Sequence, residues 1–378
     1  MHNVYLKKRH RGHPWIFSNE IRREEEIHPG EIVKIYQGRT FLGRGFYNPH
    51  SLIAIRRFSI TDQEFDQQFL DGLIDKALAY RRTWSKENSF RLVHSESDGL
   101  PGLIIDKYED NFVIQINCYG MDQKRDMIIR SLARMEPGFI YERNDTQLRK
   151  LEGLEPRQGL LYGELSNPVL IKQDDIPLFV DVEKGQKTGF FFDLADIRKY
   201  VKGISEGRKA LDLFCYSGSF TLYAARGGAR SVTGVDSSQS AIAQAIKNCA
   251  YAGITGMKFV CADAFNFLSH DDNFYDLIIV DPPSFTKSRK SIKMALRGYQ
   301  NINLQAMNHL ENGGFLVTTT CSYHITDNDF QELLRKAALE AGIRLNLRNR
   351  ATQSLDHPIL LNMPESHYLK CFVLQRTD

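Results

Sequence analysis

From about residue 176 onward, short apolar segments alternate with segments of helical spacing, and this order constrains the fold more than any other feature of the chain. Strands that alternate with helices are typical of α/β proteins with a parallel, doubly wound sheet. The predicted parallel strands cover residues 210–214, 231–235, 258–260, 276–280 and 314–319. Two later apolar segments, near residues 343–348 and 368–374, are expected to close one edge of the same sheet.

The region before residue 176 lacks this alternation, and we divide it into two further predicted domains. Residues 1–66 contain short alternating strands with Gly-containing turns, which indicate a small β-barrel. Residues 67–175 begin with a helix that extends to near Trp84 and continue with hairpin signals, as expected of an α+β domain. A chain of 378 residues is long enough for this arrangement, in which residues 176–378 form the third domain.

Composition narrows the class of protein. Hydrophobic residues make up 42% of the chain and charged residues 25%, which is the profile of a soluble globular protein. No apolar run approaches the roughly 20 residues that cross a bilayer, and the first ten residues lack the apolar core of a secretion signal. We therefore expect a cytoplasmic protein that has no membrane partner.

The cysteines are scattered and form no C-x-x-C pair, so the sequence supports neither a zinc site nor a thioredoxin-like motif, and no metal is predicted. In a reducing compartment these thiols are free, and most are expected to be small buried side chains. The functional question is which thiol is the exception. The six cysteines are Cys118, Cys215, Cys249, Cys261, Cys321 and Cys371.

Basic residues are clustered although the net charge is only +3. Such clusters are either solvated faces or phosphate contacts, and their number favours a nucleic-acid partner. Trp15 and Phe17 lie beside the first cluster, where they can stack on bases or simply fill the barrel. The clusters are Lys7 to Arg11, Arg22-Arg23, Arg56-Arg57, Arg81-Arg82 and Lys287 to Arg297.

Acidic residues follow three successive predicted strands. The turn after the first strand has one glycine rather than G-x-G-x-x-G, which argues against a dinucleotide. S-Adenosylmethionine suits the acidic series, because the three carboxylates can bind its ammonium end, its ribose hydroxyls and its adenine amine, in chain order. Helix capping is the alternative explanation for each. The predicted cofactor contacts in this region are Asp212, Phe214, Tyr216, Ser217, Gly218, Asp236, Ser237, Asp263 and Asp281.

The ends of the fourth and fifth strands suggest the chemistry. Asp281-Pro282-Pro283 is a rigid strand exit that can grip the edge of a base, together with Phe285. Cys321 follows the fifth strand, and a thiolate there can add to carbon 6 of a pyrimidine, so that carbon 5 attacks a methyl sulfonium. Asp281 is expected to hydrogen-bond the ring at nitrogen 3 as charge develops.

Two alternatives remain open at this point. The Asp281-Pro282-Pro283 loop also suits methylation of a base amino group or ring nitrogen, with Cys321 in a structural role. The second alternative is a non-enzymatic RNA-binding protein with a vestigial transferase domain. The acidic series and Cys321 argue against it. The sequence leaves the oligomeric state open, including a homodimer.

The chain resembles the bacterial and archaeal cytosine-C5 RNA methyltransferases that have an N-terminal PUA domain. The resemblance extends over nearly the whole chain and implies a PUA domain, a central domain and a class I methyltransferase domain with a Rossmann-like sheet. It rests on the motifs His13-Pro14-Trp15-Ile16-Phe17-Ser18, Glu96 to Gly102, Lys187 to Asp193, Asp281-Pro282-Pro283, Arg297-Gly298-Tyr299, Thr320-Cys321-Ser322 and Asp356-His357-Pro358.

The resemblance implies specific roles and two departures. Cys321 would be the nucleophile, Asp281 the base-contacting acid, and ribosomal RNA the substrate, with 5-methylcytosine as the product. Other cytosine-C5 RNA methyltransferases have a second cysteine where this chain has Ser284. The PUA-bearing family also lacks that cysteine, so the resemblance is preserved, but the base that removes the carbon 5 proton is unassigned. Residues 173–176 also differ from an acidic-histidine-glycine stretch of the family. The pocket contacts expected from the matching segments are Lys187 and Thr188 for the cofactor, and Asp193, Arg297 and Trp15 for RNA.

Overall fold

A computed structural model describes residues 2–22, 26–285 and 291–378. It divides the chain into two compact units, here called unit 1 and unit 2. The three-domain division at residues 66 and 175 stays a prediction. Unit 1 consists of Met1–Ile171, Val180–Phe192 and Leu355–Ser366, and unit 2 of Lys172–Phe179, Asp193–Ser354 and His367–Asp378.

Unit 1 begins with the predicted all-β region, which forms a five-stranded sheet in the order β1-β3-β4-β5-β2. Strands β1 and β3 are parallel, and the other pairs are antiparallel. Alternating residues such as Val33 and Ile35 are fully buried, which explains the period-2 pattern in the sequence. The strands are β1 (His2–Tyr5), β2 (Trp15–Ile16), β3 (Ile32–Gln37), β4 (Thr40–Tyr47) and β5 (Ile55–Ser59).

The rest of unit 1 is an α+β region built on a second sheet, in the order β10-β9-β8-β7-β6. The helix predicted to end near Trp84 is present as α1, and two short helices, α2 and α3, are separated at Gln123 and Lys124. These elements are α1 (Gln67–Arg82), β6 (Phe90–His94), β7 (Leu103–Tyr108), β8 (Asn111–Ile116), α2 (Tyr119–Asp122), α3 (Arg125–Ala133), β9 (Phe139–Asn144), α4 (Gln147–Leu151) and β10 (Arg157–Gly163). A two-stranded sheet of β11 (Val169–Gln173) and β12 (Ile176–Val180) follows, of which residues Lys172–Phe179 are assigned to unit 2.

Unit 2 contains the predicted doubly wound sheet, with the seven-stranded order β15-β14-β13-β16-β17-β19-β18. The first five strands in this order are parallel, and β19 runs antiparallel between β17 and β18. The elements are α5 (Ala195–Gly203), β13 (Lys209–Leu213), α6 (Ser219–Arg226), β14 (Ser231–Asp236), α7 (Gln239–Tyr251), β15 (Lys258–Cys261), α8 (Ala264–His270), β16 (Tyr275–Val280), α9 (Ile292–Asn308), β17 (Leu310–Thr320), α10 (Asp327–Ala341), β18 (Leu345–Ala351) and β19 (Lys370–Arg376). The sequence-based prediction of an α/β fold is confirmed, and both late apolar segments lie in the sheet.

The strand order of unit 2 locates its ligand-binding edge. From β13 the chain adds β14 and β15 on one side of the sheet and then returns to place β16 and β17 on the other. Ligands of open α/β sheets bind outside the carboxyl ends of the strands, where the order reverses. The acidic residues and Cys321 singled out in the sequence lie at these strand ends or in the segments directly after them. No helix in the described ranges is long and apolar enough to span a membrane.

Candidate active site

Asp212 is a buried carboxylate near the end of β13. Its side chain is fully buried, and the Thr221 hydroxyl donates to its Oδ2 at 2.7 Å. Its Oδ1 has no hydrogen-bond partner. Burial, and then the carboxylates of Asp281 and Asp236, raise the pKa of Asp212 to about 7. A buried carboxylate with a free oxygen and two acidic neighbours favours a cationic ligand.

The turn after β13 has an unusual backbone. Phe214, Tyr216 and Gly218 have φ values of 63°, 49° and 82°, so every second residue is left-handed. Non-glycine residues in this region are strained, and such strain is concentrated at functional sites. Alternating backbone handedness turns successive N–H groups toward a common concavity. Gly218 precedes α6, so this concavity lies at a helix N-terminus.

Asp236 ends β14 and is oriented by backbone N–H groups. The Tyr216 N–H donates to its Oδ2 at 3.0 Å, and the Ser238 N–H donates to its Oδ1 at 2.8 Å. The carboxylate is half-buried, and each oxygen has a second lone pair for a ligand. This geometry suits an acceptor of two ribose hydroxyls.

The remaining predicted cofactor contacts near this edge have structural partners. Asp263 is exposed and caps α8, because its Oδ1 accepts from the Asn266 N–H at 3.0 Å. This is the capping explanation that the sequence left open, and an adenine contact by Asp263 stays a prediction. Ser217 is buried, and its carbonyl accepts from Asn248. Ser237 is exposed beside Asp236.

Asp281 follows β16 directly and is bonded to the neighbouring strand. The Thr319 hydroxyl of β17 donates to its Oδ1. Pro282 is buried and Pro283 is exposed, so the loop after β16 leaves the sheet rigidly. Phe285 packs on Tyr299 of α9 with ring centroids 4.6 Å apart. The aromatic contact holds this loop against α9.

Burial separates Cys321 from most of the other cysteines. Four thiols are buried, and burial raises their pKa, to about 12 for Cys118 and about 11 for Cys249, with Cys215 and Cys371 raised further. Cys321 is half-buried at the end of β17. The sixth cysteine, Cys261, is exposed at the end of β15. A nucleophilic thiol must be partly accessible and able to ionise, which leaves Cys321 as the candidate beside Asp281.

Polar groups from three elements meet at the residue after Cys321. The Ser322 side chain lies 2.8 Å from Ser284 Oγ and 3.1 Å from the Tyr299 hydroxyl. Lys370 of β19 is 3% exposed, and its Nζ donates to the Ser322 carbonyl at 3.2 Å. Sequence reasoning missed Lys370 and Thr319. The one available signal was a lysine that interrupts the apolar segment of residues 369–374.

The other predicted RNA and cofactor contacts fall in both units. Arg297 is exposed on α9, and Asp193 is buried and accepts from the Tyr368 hydroxyl at 2.7 Å, both within unit 2. Thr188 belongs to unit 1, where its buried hydroxyl donates to Asp106 and its carbonyl accepts from Tyr108. Lys187, also in unit 1, is exposed, with Nζ 4.6 Å from the centre of the Phe191 ring.

Trp15 is half-buried in unit 1 and bonded into a charged cluster. Its Nε1 donates to Glu96 Oε1 at 2.6 Å, and the Arg56 guanidinium lies 5.2 Å above its ring. Arg56 also pairs with Glu96 at 2.9 Å and with Glu152 at 3.1 Å. This partly supports the barrel-filling explanation for Trp15, and its contact with RNA stays a prediction. Glu96, the first residue of the motif at 96–102, thus has a structural role in unit 1.

The basic clusters differ in the solvent exposure of their side chains. Lys7, Lys8, Arg9 and Arg11 are exposed, as is Arg82, whereas Arg81 is fully buried and pairs with Asp98. Among the clustered residues predicted to contact phosphate, Arg23, Lys287, Arg289 and Lys290 lie outside the described residues.

The residues around β13 and β14 fit S-adenosylmethionine. The unpartnered Oδ1 of Asp212 suits its positively charged end, and the oriented carboxylate of Asp236 suits its ribose. The concave turn between them allows close approach of a ligand. In the described part of the chain, no group of three or more His, Cys, Asp or Glu side chains could hold a metal ion.

Comparisons with known proteins agree with this fit. Residues 5–59 match the family model of the PUA-like domain, and residues 158–358 match that of S-adenosylmethionine-dependent methyltransferases. The chain is 37% identical to ribosomal RNA large subunit methyltransferase I of Alteromonas mediterranea, over 98% of this chain and 97% of that protein. It is 39% identical to the protein of the same name from Shewanella denitrificans, over 96% of this chain and 95% of that one.

A solved structure shows the same fold. The structure of SMU.776 in complex with SAH matches 99% of this chain and 100% of its own chain, with a TM-score of 0.86 at 22% identity. The sequence relatives are similar along nearly their whole length, and the family model of the methyltransferases covers more than half of this chain. The chain therefore belongs to the ribosomal RNA large subunit methyltransferase I family of S-adenosylmethionine-dependent methyltransferases with an N-terminal PUA-like domain.

Proposed function

We propose that this chain forms 5-methylcytosine in the RNA of the large ribosomal subunit, through a transient bond between Cys321 Sγ and carbon 6 of the target cytosine. The observation on which this rests is the partly accessible thiol of Cys321 at the carboxyl end of β17, one strand away from Asp281. The names of the two relatives support ribosomal RNA as the substrate. Ribosomal RNA as the substrate also implies that the protein works in the cytoplasm.

Different residues of unit 2 bind the cofactor and the target cytosine. Asp212 pairs with the cationic end of the cofactor, and Asp236 accepts its ribose hydroxyls. When bound, S-adenosylmethionine supplies an electrophilic methyl group. Asp281, held by Thr319, contacts the cytosine ring at nitrogen 3, and Pro282 and Phe285 shape the loop against which the base lies.

Covalent attack solves a specific chemical problem, because carbon 5 of cytosine is a poor nucleophile. The thiolate of Cys321 bonds to carbon 6, and the displaced electron pair makes carbon 5 enamine-like so that it takes up the methyl group. The carbon 5 proton then leaves to a base or to water. Its bonding pair re-forms the ring double bond as the sulfur–carbon bond breaks, which returns the thiolate of Cys321.

RNA contacts outside the target base are proposed for exposed basic and aromatic residues. Arg297 on α9 suits a phosphate contact, as do the basic residues near the start of unit 1. Phe17, in the same part of unit 1, is 38% exposed and offers a surface for base stacking. These contacts position the RNA strand, whereas Cys321 and Asp281 act on the cytosine.

The decisive experiment compares two cysteine variants. Cys321→Ala should abolish methylation of large-subunit RNA while calorimetry still shows binding of S-adenosylmethionine. Cys261→Ala, which removes the exposed thiol at the end of β15, should retain methylation. Normal methylation by Cys321→Ala would exclude the covalent route.

The product and the bond can be tested separately. Nucleoside mass spectrometry of treated RNA should show 5-methylcytosine, whereas a methylated amino group or ring nitrogen would favour the alternative with a structural Cys321. RNA that contains 5-fluorocytosine should trap a protein–RNA species that survives denaturant, because fluorine cannot leave carbon 5 as a proton does. The trapped species should be absent with Cys321→Ala.

A further inference from the structure

Lys370 is a buried cation next to the proposed nucleophile. It is the first residue of β19 and pairs with Thr320, the residue before Cys321, in the antiparallel ladder with β17. Its Nζ donates to the carbonyls of Ser322 at 3.2 Å and Tyr368 at 3.4 Å. The ammonium is thus held against the backbone of the turn that contains Cys321.

Two carbonyl contacts do not explain why a charge is buried here. A neutral donor could satisfy both carbonyls, and burial of an ammonium without an anion costs stability. Burial lowers the pKa of Lys370, and the charged groups that oppose this are Asp327, Cys321 and Asp329. These three groups are the acidic neighbours that act on the Lys370 charge.

The two carboxylates both lie at the start of α10, and Asp327 opposes the effect of burial on Lys370 more strongly than Cys321 does. Asp329 is exposed, and its Oδ2 accepts from the Thr326 N–H and hydroxyl in the capping box of α10. Asp327 lies in the first turn of the same helix, where the N-terminal dipole already favours a carboxylate. Cys321 is adjacent in sequence to both Thr320 and Ser322, between the strand pair and the carbonyl that position Lys370.

We propose that Lys370 is a positioning residue that holds a fixed positive charge beside Cys321 and thereby favours the thiolate form of the nucleophile. The thiol proton passes to bulk water, and the ammonium remains protonated. This proposal rests on the proposed role of Cys321. Two further titratable groups belong to the elements around the thiol: Tyr299 of α9, whose pKa burial raises, and Asp281, which directly follows the neighbouring strand β16.

The test measures ionisation of Cys321 without any RNA. The full-length protein is alkylated with iodoacetamide over a pH series, and peptide mass spectrometry gives the rate at Cys321, with the exposed Cys261 as an internal reference. We expect the midpoint for Cys321 to lie below the ordinary thiol value of about 8.5. A midpoint at or above that value in the unaltered protein overturns the proposal, whether or not any variant folds.

Two substitutions then identify the cause. Lys370→Met keeps the length of the side chain without the charge, and Lys370→Gln keeps a neutral donor for the carbonyls. Both should raise the Cys321 midpoint by about one pH unit and lower alkylation near neutral pH about tenfold, with Cys261 unchanged. Unshifted midpoints in folded variants overturn the proposal, even if methylation falls.

The proposal and the proposed function fail in different ways. If Cys321→Ala methylates RNA normally, the covalent mechanism is wrong, although Lys370 can still shift the alkylation midpoint of Cys321. If Cys321→Ala is inactive and Lys370→Met leaves the midpoint unchanged, the mechanism stands and the role of Lys370 is wrong.

Discussion

The hydroxyl of Thr319, near the end of β17, donates a hydrogen bond to the carboxylate of Asp281 at the end of the parallel neighbour β16. This bond joins the two strand exits at which the proposed chemistry takes place. It orients the Asp281 carboxylate before any substrate binds, and such preorganisation is a large contribution to catalysis.

Loss of the Thr319 hydroxyl should therefore impair catalysis more than folding. Thr319→Val is expected to lower kcat about tenfold, because Asp281 loses its orienting donor. Thr318→Val is the matched control, since the Thr318 hydroxyl is buried one residue earlier without a hydrogen-bond partner. Single-turnover methylation rates of both variants provide the measurement. Equal rates would show that the Thr319–Asp281 bond does not contribute.

Asp212 should make the stability of the cofactor-free protein depend on pH. Its pKa is raised to about 7 in the folded state, so the folded protein binds more protons than the unfolded chain between about pH 4 and 7. The contribution of Asp212 to stability therefore declines as pH rises through this window. Asp212→Asn removes the ionisation, and it should stabilise the protein by about 1–3 kcal/mol more at about pH 8 than at about pH 5.

Urea unfolding at the two pH values, without added cofactor, measures this difference. The same variant should bind S-adenosylmethionine more weakly at both values, because it lacks the carboxylate for the cationic end. If the difference in unfolding free energy between Asp212→Asn and the original chain is the same at both pH values, Asp212 ionises normally and the prediction is wrong.

Arg56 should be a major stabilising residue of unit 1. Burial opposes its charge, but Glu96 and Glu152 raise its pKa, and the Arg56 charge lowers the pKa of Glu96. Arg56→Met would leave both buried carboxylates without their cation, at a cost of about 3–5 kcal/mol. Arg57→Met is the matched control, since the Arg57 guanidinium donates to the backbone carbonyls of Gly12 and Leu42.

The effect of Arg56→Met should also depend on pH. The folded-state pKa of Glu96 is depressed, so its contribution to stability is present above its ordinary value of 4.5 and is lost as pH falls through the folded value. The difference in unfolding free energy between Arg56→Met and the original chain should shrink below that pH. A difference that stays constant in acid would contradict the ion-pair explanation.

Arg297 should contribute to RNA affinity through charge. It is exposed on α9, near the loop that contains Phe285, since Phe285 packs on the same helix. Arg297→Glu should weaken RNA binding several-fold and reduce its salt dependence, as expected for loss of a phosphate contact. Arg335→Glu on α10, where Arg335 pairs with Glu332 at 2.8 Å, is the control. Filter binding at several salt concentrations compares the two, and equal losses would exclude a specific contact by Arg297.

Local patterns predicted the methyltransferase sheet well. Short apolar segments between segments of helical spacing identified β13 to β17, and two later apolar segments identified the last two strands, because a buried strand needs apolar side chains wherever it lies. The capping role of Asp263 was one of two explanations that the sequence left open, since Asp at a strand-to-helix turn suits either a cap or a ligand. The insertion of β19 between β17 and β18 was not predicted, because strand order depends on long-range pairing.

By itself, the sequence determined the α/β class, the all-β start of the chain, the acidic residues after successive strands and the two strand ends that are followed by Asp281 and Cys321, because these features depend on residue type and local spacing. Tertiary structure decided which thiols are buried, the bond between Thr319 and Asp281, and the position of Lys370 opposite Thr320. The physical reason is that strand register brings together residues far apart in the chain, and no local pattern encodes which carbonyl or carboxylate a given side chain will reach.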